Sequence, residues 1–224
     1  MVNQDIKSLK EKALGFGADL FGVADIDAVK KDFLIEPPEV ISDLNFAISL
    51  GVHLSDKVID AVMDCPNMLY SMHYRRVNYL LDEIATKLTG LLQKMGYSAL
   101  PIPASQVIDF KNQTGHLNHR LIANLAGLGW IGRSGLLINP KFGARVRYVT
   151  ILTDAPLKAS VLDNKGCGSC RACIAVCPAG AIKENKEDFD RQSCMALLRE
   201  FSKRPGIGQM ICGVCIKVCD GKNK

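Results

Sequence analysis

At 224 residues, with 48% hydrophobic and 23% charged positions, the chain has an ordinary globular composition and can bury one large or two small cores. No stretch approaches the ~20 apolar residues of a membrane span, so no membrane is expected. The formal charge of +5 comes without a Lys/Arg cluster interleaved with aromatics, so nucleic acid is not indicated.

The chain starts Met1-Val-Asn-Gln-Asp-Ile-Lys7, with neither an apolar signal core nor a twin arginine, which predicts a cytoplasmic protein. Ile6, Leu9, Ala13 and Leu14 share one face and predict a helix over 4–15, stopped by Gly15 and Gly17. Residues 21–25 and 45–52 read as short apolar strands, with a mixed stretch between them broken at Pro37-Pro38. Cys65 reads as a small buried hydrophobe. Over 67–95, Val77, Leu80, Leu81, Ile84, Leu88, Leu91, Leu92 and Met95 recur at three- and four-residue steps, the core stripe of the longest helix, and Gly96 ends it. Its start, Tyr70-Ser-Met-His-Tyr-Arg-Arg76, could line a pocket or be a solvated end.

Pro101-Ile-Pro103 forces extended chain, and 104–115 reads as a loop. His116 and His119 open a helix that ends near Gly127; at i and i+3 they could share a proton near neutral pH, where imidazole titrates. Gly127-Leu-Gly129-Trp130-Ile-Gly132-Arg133-Ser-Gly135 matches G-x-G-x-x-G literally. A dinucleotide site needs a strand before these glycines and a helix after. Here a helix precedes and the apolar run 136–140 follows, so that reading is rejected. The repeated glycines still predict tight turns or close backbone approach to something large; Trp130 either meets a flat cofactor face there or caps the core of a turn. Residues 145–154 read as a strand and 158–166 as a polar linker into the cysteine stretch. A connector over 178–182, a short strand over 188–190, a helical turn over 195–201 and a loop over 204–208 complete the chain.

Eight of nine cysteines lie between Cys167 and Cys219. Cys167-x2-Cys170-x2-Cys173-x3-Cys177-Pro178 has the spacing of bacterial iron–sulfur ferredoxins, in which the fourth cysteine serves the other cluster. Cys194, Cys212, Cys215 and Cys219 complete the eight ligands that two [4Fe–4S] clusters require. Structural zinc prefers separated C-x2-4-C pairs, and a disulfide framework belongs in an oxidising compartment. With each cluster and its thiolates contributing about −2, the net charge falls from +5 to about +1, which removes the basic excess.

Together with the cysteine pattern, Ala126-Gly-Leu-Gly-Trp-Ile-Gly-Arg133 and Leu136-Leu-Ile-Asn-Pro140 with Thr153-Asp154 resemble epoxyqueuosine reductases and, more distantly, corrinoid-dependent reductive dehalogenases. The likeness continues faintly at Gly17 to Asp25 and at Tyr70 to Leu81. It implies an α+β fold: a nitroreductase-like domain over 1–160 that binds a corrinoid or docks a partner, then a ferredoxin-like module over 161–224 with two clusters. Cys167, Cys170, Cys173 and Cys219 would hold one cluster, and Cys177, Cys194, Cys212 and Cys215 the other. Electrons would come from a donor such as ferredoxin or flavodoxin and leave to cobalamin, with Gly127, Gly129, Trp130, Gly132, Arg133 and Gly135 as the corrinoid receptor. The stretch that carries the family's catalytic acid reads Gln113-Thr-Gly-His116-Leu-Asn-His119-Arg120 here, which leaves His116 and His119 as candidate proton donors. The alternative function is an electron-transfer or reductive-activation protein that docks a redox partner and has no substrate of its own.

Overall fold

The computed structural model describes residues 2–109, 111–162 and 165–222. Position 110 of the expected loop and positions 163 and 164 of the expected linker lie outside them. The chain is a mixed α/β fold that divides into two compact units, each drawn from three segments. The first comprises Met1–Val52, Asn78–Leu128 and Arg147–Asp163, and the second His53–Val77, Gly129–Val146 and Asn164–Lys224. The sequence places a single boundary near residue 160. The unit that carries the cysteines instead recruits two earlier segments, because the cysteine stretch supplies few apolar side chains of its own.

In the first unit, α1 (Val2–Gly15) buries Leu9 and Ala13, while Leu14, expected on the same face, is exposed. Gly17 turns the chain at a left-handed φ of 110°. β1 (Leu20–Asp25) then pairs antiparallel with β2 (Phe46–His53), Leu20 facing Gly51 and Asp25 facing Phe46. Six consecutive buried residues in β2 mark a strand covered on both faces. β3 (Ala99–Ile102) pairs antiparallel with β6 (Val146–Thr153), and the sheet order is β1-β2-β6-β3. Pro101 is tolerated because β3 is an edge strand and a missing N–H there breaks no ladder bond. At the opposite edge, Ser160 covers β1: its hydroxyl accepts from Val23 N–H and its own N–H donates to Val23 O.

The long helix α3 (Met68–Lys94) contributes to this unit from Asn78 onward. Leu81, Ile84, Leu88 and Leu92 are buried at the predicted spacing. The helix ends in a Schellman turn, with Gly96 N–H to Gln93 O and Tyr97 N–H to Leu92 O, and Gly96 at φ 90°. α4 (His119–Leu125) is capped by Asn118, whose side chain accepts from the Arg120 and Leu121 amides.

In the second unit, α2 (Asp56–Asp60) and the first turns of α3 accompany a short hairpin, β4 (Trp130–Ile131) against β5 (Leu137–Ile138). Three helices carry cysteines: α5 (Ala172–Val176), α6 (Arg191–Ser202) and α7 (Val214–Lys217). The expected strand at 188–190 is a correction. A 3-10 turn spans Lys186–Asp188, and Asp190 caps α6 by accepting from Ser193 N–H and Oγ–H, so Cys194 sits inside a twelve-residue helix. Asp-x-x-Ser is a helix-start signature, and it outweighs the strand propensity of Phe189.

Candidate metal centre

The site is built where the hairpin meets the first cysteine run. Trp130, Ile138 and Ala144 form a small core, against which Leu136, Cys167, Ile216 and Cys219 pack. Gly132 makes the approach feasible: a Cβ there would lie 2.7 Å from Ile138 Cγ1 and 3.1 Å from Cys167 Sγ. A Cβ on Gly129 would collide with Ile138 O, and one on Gly135 would press on the Phe189 ring at 3.2 Å. Gly127, in the first unit, has its corresponding space filled by Val161 O. Arg133 crosses to the cysteine run and donates from Nε to Glu184 O (2.6 Å), from Nη1 to Cys170 O (2.9 Å) and from Nη2 to Gly168 O (2.9 Å).

These contacts occupy the loop expected to receive a corrinoid with the chain's own atoms. Its glycines are demanded by the chain's own backbone and side chains, and three N–H groups of Arg133 are spent on carbonyls around Cys170. Trp130 is 4% exposed, so its ring is core rather than an open platform.

Of the eight cysteines, Cys167, Cys170, Cys173 and Cys219 line one recess together with Trp130. The Cys173 thiol is pushed up to about 11, by burial first and then by the Cys219, Cys167 and Cys170 sulfurs. Cys219 is raised by burial, with Cys167 and Cys170 adding to it. Cys212 is pushed up to about 11 by burial and then by Cys194, Cys177 and Cys65. Cys215 is raised by burial and by Cys212, Cys194, Cys173 and Cys177. The thiols therefore fall into two neighbourhoods, each combining residues from both ends of the stretch, with Cys173 and Cys215 close enough to feel one another.

None of the nine cysteines is in a disulfide. Among the described residues no three His, Cys, Asp or Glu side chains stand at the spacing of a single bound ion. That is the spacing a mononuclear site such as zinc requires. It does not test a cubane, whose core of four irons and four sulfides is larger than an ion and holds its thiolates farther apart. Two observations fit such a group at the first quartet. Glycine at 132 keeps side-chain bulk away from Cys167, and Trp130, which lines the recess, has a buried Nε1 with no hydrogen-bond partner. Cys65 is only half-buried, which corrects its reading as a small buried hydrophobe, and it is near enough to Cys212 to help raise that thiol.

Sequence reasoning missed the 139–145 turn. Asn139 Oδ1 accepts from the Lys141 and Phe142 amides, and Gly143 at φ 59° lies where any Cβ would strike Cys219 O. Ala144 N–H donates to Cys219 O (3.4 Å). Arg145 pairs with Asp56 (2.7 Å) and Asp60 (3.2 Å) and donates to Lys217 O (2.6 Å). The Asn-Pro-Lys-Phe-Gly sequence carries the turn signal. The entrance of α3 packs in part against the 207–213 segment. Tyr70 is buried, a Cβ on Gly213 would lie 2.8 Å from its ring, and Ser71 Oγ and Arg75 Nη2 both donate to Ile207 O.

The histidines lie in the first unit, and each is hydrogen-bonded there. His119 contacts Thr150 Oγ1 through Nδ1 (2.8 Å) and Pro103 O through Nε2 (2.9 Å). A carbonyl only accepts, so Nε2 carries the proton and Nδ1 accepts from the hydroxyl. Burial depresses its pKa to about 4, with Arg147 lowering it further and the Pro103 bond opposing. The expectation of proton donation near neutral pH therefore fails for His119. His116 Nδ1 donates to Leu34 O (2.8 Å), while Leu34 N–H returns to His116 O.

No family model matches the chain. It is 34% identical to the epoxyqueuosine reductase of Bacillus anthracis over 119 residues, covering 50% of this chain and 31% of that protein. It is 27% identical to the tetrachloroethene reductive dehalogenase of Desulfitobacterium hafniense over 206 residues, 89% of this chain and 34% of that one. The chain thus spans about a third of the length of these curated relatives. Among solved structures, the catabolic reductive dehalogenase NpRdhA superposes with a TM-score of 0.74 at 22% identity, over 95% of this chain and 31% of that one. An epoxyqueuosine reductase solved with an epoxyqueuosine-modified tRNA-Tyr stem loop gives 0.66 at 21% identity, over 98% and 65%. The resemblance to both groups holds, and with it the mixed α/β fold. The tRNA stem loop bound to that relative stands against the expectation that nucleic acid is not indicated. Among the described residues no helix is long and apolar enough to cross a membrane.

Proposed function

We propose that the chain is an iron–sulfur oxidoreductase that holds two [4Fe–4S] clusters and delivers low-potential electrons to a corrinoid. The single observation that supports this most is the sorting of eight thiols into two neighbourhoods that cross the sequence. Cys219 lies with the first run, and Cys177 leaves that run for Cys194, Cys212 and Cys215. A cluster bound by each quartet supplies one-electron transfer at low potential. The chain's own residues shape the sites. Arg133 fixes the carbonyls on either side of the Cys170 thiol, Gly132 and Gly143 admit the cysteine loops, and Arg145 ties α7 to the 139–145 turn through Lys217 O.

In this reading the first unit is nitroreductase-like, the electron donor is a ferredoxin or flavodoxin, and the protein is cytoplasmic. The corrinoid rests on the relatives named as epoxyqueuosine reductase and reductive dehalogenase, one of them solved in a study of B12-dependent dehalogenation. A transfer-RNA substrate, as in the stem-loop complex, belongs to the same reading. A second reading is an electron-transfer or reductive-activation protein without its own substrate. It is favoured by the neutral, doubly bonded His119 and by a glycine loop already filled from within.

Anaerobic protein should contain about eight iron and eight sulfide per chain. Zinc, or about four iron, would refute the two-cluster proposal. Cys177→Ala should alter the same electron paramagnetic resonance signal as Cys194→Ala, and Cys219→Ala the same one as Cys170→Ala. If Cys177→Ala matched Cys170→Ala instead, the crossing would be wrong. Titration with cob(II)alamin separates the two functions: a base-off spectrum supports the corrinoid, and no change well above micromolar supports the carrier.

A further inference from the structure

Trp130 Nε1 is a buried donor without an acceptor. The residue opens β4, is fixed by pairing opposite Ile138, and is 4% exposed. Leaving such an N–H unpaired is costly, and native proteins rarely do so without a reason. Most of its surroundings offer nothing. Ile138 and Ala144 are apolar, and Arg133 on the same wall brings only donors. Ser134 and Asp220 carry oxygens on this wall, and neither lies within hydrogen-bond reach of Nε1. The sulfurs of Cys167, Cys170, Cys173 and Cys219 also line the recess without reaching Nε1, which leaves the sulfur of a group bound among them as the acceptor.

We propose that the Trp130 indole N–H donates a hydrogen bond to a sulfur of the cluster held by Cys167, Cys170, Cys173 and Cys219, and thereby sets the potential of that cluster. The inference rests on the two-cluster reading above and adds a positioning residue that neither the cysteine spacing nor the thiol neighbourhoods identify. An N–H pointed at cluster sulfur stabilises the reduced state more than the oxidised one, because reduction places an extra electron on the iron–sulfur core. Hydrogen bonds to the sulfurs are among the features that set cluster potentials. The bond therefore raises this cluster's potential relative to the same site without it, and leaves the other cluster unaffected.

The test is an anaerobic redox titration of the full chain, followed by electron paramagnetic resonance. Parent protein is compared with Trp130→Phe and with a chain carrying benzothienylalanine at position 130. The second residue keeps the bicyclic shape and replaces only the N–H with sulfur. We expect both to retain about eight iron. One cluster should become about tenfold harder to reduce at fixed potential, a downward shift of ~59 mV for a one-electron couple, with the second cluster unmoved. An exchangeable proton coupled to the reduced cluster in the parent, seen by electron–nuclear double resonance, should vanish in both variants. Unchanged potentials in the benzothienylalanine protein would overturn the inference. So would iron loss in that protein, because the N–H would then serve site assembly rather than potential. Parent protein with zinc, or with about four iron, would instead remove the cluster reading itself.

Discussion

His119 offers the sharpest test of how the first unit is held together. The folded protein keeps the ring neutral, with Nε2–H on Pro103 O and Nδ1 accepting from Thr150, and burial lowers its pKa from the usual 6.5 to about 4. The unfolded chain protonates at the ordinary value. Between those two values the unfolded state therefore binds more protons, and folding weakens as pH falls. Above 6.5 both states are neutral and the effect vanishes; below 4 both are charged and it stops growing. At pH 5 the penalty comes to ~2 kcal/mol, against a few tenths at pH 7. His119→Gln keeps a donor near Pro103 O without a titrating group, so its stability should not carry this component. Denaturant unfolding of both proteins, prepared anaerobically, should show the parent losing ~2 kcal/mol relative to the variant between pH 7.5 and 5. Histidine ring nitrogen spectra should show one Nε2–H tautomer persisting to pH 5. Parallel stability curves, or a ring protonated by pH 6, would refute the assignment.

Arg133→Lys replaces a fork by a single ammonium that cannot serve Gly168, Cys170 and Glu184 carbonyls together; it should cost ~2 kcal/mol and speed iron release to a chelator, and an unchanged release rate would show that the clamp is dispensable. Gly129→Ala, at φ 150° with its Cβ directed into Ile138 O, should lower stability by more than ~2 kcal/mol, whereas Gly180→Ala, at φ 58° in open space, should cost only ~1 kcal/mol. Equal thermal shifts for the two would refute the steric argument. Leu88→Ala should cost ~2–5 kcal/mol, and the exposed Leu14→Ala well under ~1 kcal/mol, both by chemical denaturation.

Much of this was legible because one-dimensional spacing carries it. The α3 stripe repeats every three or four residues, and the Gly96 stop needs only a left-handed φ. The C-x2-C-x2-C-x3-C-P run announces its partners by count. What was not legible depends on segments far apart in sequence. Nothing local to Arg133 says that its guanidinium will meet carbonyls at 168, 170 and 184; an arginine after a glycine loop reads equally as an anion or amide ligand. His119 looked like a proton donor because its type was visible and its burial was not. The division into two units escapes the sequence for the same reason, since nothing local to Trp130, Ile138 and Ala144 says that Cys167 and Cys219 pack on them. At Asp190-x-x-Ser193 the helix-start signal is present in the sequence, beside the strand propensity of Phe189.

The neighbourhood of Cys219 with Cys167, Cys170 and Cys173 also has a meaning in time. During synthesis Cys167 is made first, and Cys219 follows 52 residues later. At ordinary ribosomal speeds that interval is about three to ten seconds. Through it the early thiols meet one another, Cys177, the later Cys194, Cys212 and Cys215, and whatever metal the cell presents before their own fourth neighbour exists. A four-cysteine site that closes last favours delivery of a finished cluster to a completed chain over piecemeal capture of iron, and it makes misloading by zinc a hazard chiefly of chains stalled before residue 219.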